Sequence, residues 1–192
     1  MSTLLSELQR DALQELMNIS MGQAANALAR LIEAKITLSI PKIVMVSAYE
    51  FQQMFVTDQY WFTRQSFLGS VKGEVLTLLA RAGTEAIGEL MDYVLPLDDR
   101  SRKELLLELA NILAGACLNG FSSQLALHAK LSMPTIFQPD TRQAESFRWS
   151  STLLLEVEFQ LEGTAFDSRI VICLEGGSVE VLIGKLNELL ED

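Results

Sequence analysis

"ELMNISMGQAAN", residues 15–26, places a glutamate, two asparagines and a glycine inside what otherwise reads as a long amphipathic helix. "ELANILAGACLN", residues 108–119, does so again 93 positions later. Helix interiors disfavour Asn, whose short amide competes for backbone hydrogen bonds, and Gly, which gives up the most backbone freedom. A chain that keeps both penalties twice, at one spacing, points to two equivalent helices. Around the first, apolar side chains recur at helical spacing from Ser6 to about Ala34: Leu13, Leu16, Met17, Ala24, Ala27, Leu28 and Leu31. Ser6 with Gln9 three residues later spells a capping box at its start.

Working outward, "KITLSIPKIVMV" (35–46) reads as extended and is interrupted by Pro41, and "AYEFQQMF" (48–55) as a short helix. "QSFLGSVKGEVLTLLA" (65–80) reads as two strands about a turn containing Gly69 and Gly73, and "TEAIGELMDYVL" (84–95) as a helix closed by Pro96. The second half follows the same plan. Ser101 with Glu104 spells a capping box for a helix running to about Lys130, followed by "LSMPTIF" extended around Pro134. "SSTLLLEVEFQLEG" and "SRIVICLEG" read as strands and "SVEVLIGKLNELLE" as a terminal helix. Helix, strand, hairpin, helix thus occurs twice, with the joint near residues 97–100 and no linker of Gly, Ser or Pro. The expected fold is α/β (α+β), one domain over residues 1–192 with pseudo-repeats 1–99 and 100–192. Two long helices should pack side by side on a shared, largely antiparallel sheet, related by a pseudo-two-fold axis.

Composition narrows the function. The 192 residues are 49% apolar and 21% charged, a globular composition with enough chain to bury a core. A net charge of −10 argues against nucleic acid, whose phosphates would repel it. "MSTLLSELQRDALQ" lacks the basic region and apolar core of a secretory signal, and no run of about 18 uninterrupted apolar residues predicts membrane insertion. Cys117 and Cys173, both in apolar segments, read as buried, reduced thiols, and the expected location is cytoplasmic. The single histidine, His128, and the two isolated cysteines offer no metal-ligand spacing. Phosphate-binding loops, nucleophile elbows and dinucleotide turns are absent from the sequence.

At 100° per residue, Asp11, Glu15, Asn18, Gly22 and Asn26 fall in one stripe opposite the apolar side chains. Glu104, Glu108, Asn111, Gly115 and Asn119 do the same on the second helix, against Leu106, Leu109, Leu113 and Cys117. Ile19 and Ile112 sit at the stripe margins. A polar stripe alone is only the wet face of a helix. Wet faces, however, favour Lys, Glu, Gln and Ala over Asn and Gly. A long-range spacing adds weight, because Asn18 precedes Pro41 by 23 residues and Asn111 precedes Pro134 by 23. With Glu, Asn and Pro each near 5% usage, one such triple arises by chance in about 2% of chains this long, and two far more rarely.

This pattern resembles the signature of the CheC/CheX/FliY phosphatases of phosphorylated CheY: Glu-x-x-Asn, then Pro after 22 residues, with an acidic residue or Ser four before the Glu. Asp11, Glu15, Asn18 and Pro41 match it in full; Glu108, Asn111 and Pro134 match with Glu104 where Asp or Ser is usual. Two copies resemble CheC more than CheX, which has one and dimerises, and no further domain is evident, unlike FliY. The resemblance implies a cytoplasmic chemotaxis phosphatase with Glu15, Asn18, Glu108 and Asn111 catalytic and Asp11 and Glu104 at the contact edge. Each Asn would orient the attacking water, and each Glu would pair with a receiver lysine. The chain would need no cofactor of its own, the Mg²⁺ belonging to the response regulator. It also implies CheD as a possible partner. The competing expectation is a non-catalytic, flagellar-switch-like adaptor of the related FliM/FliN group that binds CheY without hydrolysis.

Overall fold

The computed structural model describes residues 5–53, 56–138 and 151–191. The first half runs α1 (Glu7–Ile32), β1 (Ile36–Leu38), β2 (Lys42–Ser47), α2 (Ala48–Gln53), β3 (Tyr60–Gly69), β4 (Gly73–Ala80) and α3 (Thr84–Leu90). The second runs α4 (Asp99–Gln124), β5 (Ala129–Leu131), β6 (Thr135–Phe137), β7 (Ser151–Leu161), β8 (Asp167–Leu174) and α5 (Gly176–Glu191). Residues 54–55 of the expected short helix and the first residue of the strand expected over 150–163 lie outside the described residues.

The strands form one antiparallel sheet in the order β1-β7-β8-β4-β3-β5, with β2 also pairing β7 and β6 also pairing β3. Exchanging each strand for its counterpart in the other half (β1 for β5, β3 for β7, β4 for β8) reverses this order and reproduces it. That is the signature of a two-fold axis between β4 and β8. Each half lends its short strands to the other: β1 and β2 lie on β7, while β5 and β6 lie on β3.

Both long helices cover one face of this sheet. Their contacts pair Ser20 with Gly120 and Leu16 with Gln124, so the helices run antiparallel. At the crossing a Cβ added to Gly120 would lie 3.1 Å from the Ser20 Cα, which makes glycine the residue that fits there. The Gln124 amide donates to the Leu16 carbonyl at 3.1 Å and to the Ser20 hydroxyl at 2.7 Å, and the Cys117 thiol donates to the Met21 sulfur at 2.9 Å. Leu13, Met17, Met21, Leu105, Leu109 and Leu113 fill the core between these helices and Val75, Leu155, Ile170 and Ile172 of the sheet. Both cysteines are free and buried, and burial pushes their thiols up, so they stay protonated and inert. Among the described residues α4 alone is long and apolar enough to cross a membrane; 61% of that window is buried inside the protein, where it packs on the sheet and α1.

The capping box of α1 is complete: Ser6 Oγ accepts from the Gln9 N–H at 3.2 Å and the Gln9 side chain accepts from the Ser6 N–H at 2.9 Å. Four local expectations differ. Helix α4 begins earlier, capped by Asp98, whose carboxylate accepts from the Ser101 N–H at 2.7 Å; a carboxylate suits the positive end of a helix better than the serine three residues on. Helix α4 ends at Gln124, not Lys130, because Ala129–Leu131 pairs with β3 and sheet pairing overrides local helix propensity. Helix α3 stops at Leu90, where Asp92 turns to a φ of 64° and the Tyr93 N–H bonds the Gly88 carbonyl at 2.9 Å. Ala27 and Leu31 are exposed, since in the last turns of α1 burial moves to Ala25, Leu28 and Ile32.

Candidate functional site

Helical periodicity carries the two motif stripes away from the sheet, as their spacing requires. Asp11, Glu15, Asn18 and Asn26 are exposed on α1, as are Glu104, Glu108, Asn111 and Asn119 on α4. Gly22 and Gly115 sit in the same stripes, and a Cβ built on either would meet nothing within 4 Å. Their small size is therefore not demanded by packing inside the chain, in contrast to Gly120. An open glycine in an exposed stripe leaves room for an incoming surface. The antiparallel crossing places Asn111 level with about residue 29 of α1, so the two asparagines lie roughly 16 Å apart along the helix direction at 1.5 Å per residue. These are two separate sites.

The prolines of the long-range spacing are both buried. Each forms part of a groove beside its motif helix. Arg10, Gln14, Ile40, Pro41 and Ile43 line one of about 370 Å³; Lys103, Leu107, Pro134, Ile136 and Trp61 line the other, of about 610 Å³. The first four pairs of this kind (Arg10 and Lys103, Gln14 and Leu107, Pro41 and Pro134, Ile43 and Ile136) are each 93 residues apart, so the grooves are equivalent. At the first, the Gln14 amide donates to the Pro41 carbonyl at 3.0 Å and bridges helix to strand; Leu107 has no such group. The residue before each proline is a large apolar side chain left in the open, Ile40 at 75% and Met133 at 79% exposure. Sequence reading missed this lip. The offset that links the prolines would have found it.

The two sites differ in how their side chains are held. Tyr93 donates its hydroxyl to the Glu108 carboxylate at 2.8 Å, and the Gln65 amide donates to Asn111 Oδ1 at 3.3 Å. Burial, then the bond to Glu108 and the charges of Glu108 and Glu104, push the Tyr93 phenol up to about 12, so it remains a donor at neutral pH. Glu104 pairs with Arg100 at 3.2 Å instead of capping the helix. Glu15 and Asn18 make no side-chain hydrogen bond or ion pair to another described residue. His128 is exposed beyond the end of α4, and among the described residues no group of three or more His, Cys, Asp and Glu is placed to hold a metal ion.

Comparison with known proteins places this architecture. Over 96% of the chain and 98% of the other, the structure matches Thermotoga maritima FliY with a TM-score of 0.71 at 18% identity. The FliM middle domain of H. pylori matches with a TM-score of 0.68 at 10% identity, over 94% and 99% of the two chains. CheX from Desulfovibrio desulfuricans matches with a TM-score of 0.58 at 13% identity, over 84% and 99%. The fold is thus one shared with FliY, the FliM middle domain and CheX. Residues 8–45 match the sequence profile of the CheC-like family, a span that holds Asp11, Glu15, Asn18 and Pro41. FliY is matched over nearly its whole compared length, so size does not set this chain apart from it.

Proposed function

We propose that the chain is a phosphatase that hydrolyses the aspartyl phosphate of a CheY-type response regulator. The observation that carries this reading is the exposure of two Glu/Asn pairs, each on a helix stripe opened by a glycine with empty space above it. An aspartyl phosphate is cleaved when water attacks phosphorus in line and the P–O bond to the carboxylate breaks, giving phosphate and the free Asp. Positioning and charge stabilisation supply most of the acceleration. The carboxamide oxygen of Asn18 or Asn111 would accept a hydrogen bond from that water and hold it on line. Glu15 or Glu108, one turn earlier, would pair with a receiver lysine and set the depth of insertion, with Asp11 or Glu104 at the edge. The divalent cation of this chemistry belongs to the receiver. Exposed carboxamides suit a site that is completed only by a partner.

The second reading is a CheY-binding adaptor without turnover, which the shared fold of the FliM middle domain favours. The pairs separate the two, because a scaffold needs no water-orienting amide. Decay of acetyl-phosphate-labelled receiver, followed with and without the chain, tests the proposal: a shortened lifetime is expected, and unchanged decay at saturating chain would leave only the adaptor. We also propose that a CheD-type regulator, if one acts here, docks on α3 or α5. Calorimetric titration should then give heat at micromolar concentration, and none if the surface is not used.

A further inference from the structure

The second Glu/Asn pair is tied to its own chain and the first is not. The Ser132 carbonyl can only accept, and it takes a hydrogen bond from the Gln65 amide at 3.0 Å. This fixes the NH₂ end of Gln65, so the Asn111 atom 3.3 Å from that nitrogen is its oxygen. Gln65 is 1% exposed and points up from β3 beneath α4, while its own oxygen has no partner. The atom that would orient water at the second site is therefore drawn toward the sheet. The carboxylate that would meet the partner is held by Tyr93.

Symmetry shows what the first site has in these places. Ser132 exchanges backbone and hydroxyl bonds with Ser66 at 2.8 and 2.9 Å, and Ser39 exchanges the same bonds with Glu158, both at 2.9 Å. Glu158 is thus the counterpart of Ser66, and Val157 that of Gln65. Valine cannot hold an amide. Tyr93 reaches Glu108 because α3 stops at Leu90; its counterpart α5 continues to Glu191, and meets α1 instead through Asn187, which accepts from Gln9 at 2.7 Å.

We propose that Gln65 and Tyr93 are specificity-determining residues that hold the α4 site back, so that the receiver is handled chiefly by Glu15 and Asn18 on α1. This rests on the phosphatase reading for its kinetic form, since engaging the α4 site requires two intramolecular hydrogen bonds to be given up. Two ordinary hydrogen bonds correspond to a preference of about tenfold for the α1 site.

Single-turnover decay of a phosphorylated receiver tests it. Asn18→Ala should leave about a tenth of kcat/KM, whereas Asn111→Ala should change it less than about twofold. On the Asn18→Ala background, Tyr93→Phe and Gln65→Val should each raise the residual rate several-fold. Tyr93→Phe removes a single hydroxyl, so its result stands even if Gln65→Val folds poorly. Equal losses for the two Asn variants, or a further fall on adding Tyr93→Phe, would overturn the proposal. If the chain proves to have no turnover, the same preference is read by binding. Amide NMR signals of α1 should shift first on titration with beryllofluoride-activated receiver, and those of α4 should follow only in the Tyr93→Phe/Gln65→Val chain. Signals of α4 shifting first in the unmodified chain would refute it independently of catalysis.

Discussion

Asn18 should be expendable for folding and costly for turnover, because it is an exposed helical side chain whose only proposed task lies in the partner's site; Asn111, held by Gln65, should cost little turnover while the α1 site is intact. Ala is the better helix former there, so melting of Asn18→Ala should match the parent within about 0.5 kcal/mol; a sharp drop would mark a structural amide. Glu15→Ala should instead weaken association, with the loss greater at low salt, as expected for an interfacial charge pair; surface plasmon resonance at two ionic strengths checks it. These residues were legible in the sequence because their spacing on one helix alone sets them on one face. Gln65 and Tyr93 were not. The first reaches Asn111 only through the pairing of β3 with β5 and β6, and the second only because α3 breaks off early. Neither event leaves a local signal.

For the helices, the glycines separate two demands that look identical in sequence. Gly22→Ala and Gly115→Ala enter open space and should stabilise the chain by up to about 1 kcal/mol each in denaturant melts, while obstructing the receiver. Gly120→Ala meets the Ser20 backbone at the α1–α4 crossing and should destabilise by roughly 1–3 kcal/mol. The opposite order would mean that the helices cross elsewhere. Asp98 supplies a pH signature. Hydrogen bonds from Ser101 hold its carboxyl below the ordinary 3.8. A lowered folded value means that the cap stabilises above that ordinary value and is lost as pH falls through the folded one. Asp98→Ala should therefore melt lower than the parent at neutral pH and converge with it in strong acid. The start of α1 was readable because Ser6 and Gln9 make both capping bonds. At α4, Ser101 and Glu104 have the same spacing, but the helix is already under way when it reaches them.

The molecule as a whole carries its duplication as an exchange of strands. The alternating elements and the 93-residue offset revealed two halves on one sheet, but the lending of β1 and β2 to β7, and of β5 and β6 to β3, is a choice of partner that periodicity does not encode. The same exchange keeps both motif helices on one surface, flanked by grooves floored by Pro41 and Pro134. The scaffold is common to FliY, CheX and the FliM middle domain, so fold alone does not distinguish hydrolysis from binding. On the proposed reading, the Glu/Asn pairs make that distinction. The most direct measurement is the decay of a phosphorylated CheY-type receiver with the unmodified chain and with the Asn18→Ala/Asn111→Ala chain at equal receiver occupancy. The account predicts accelerated decay with the first and the receiver's own rate with the second, binding being largely retained. Acceleration that survives loss of both asparagines would contradict it.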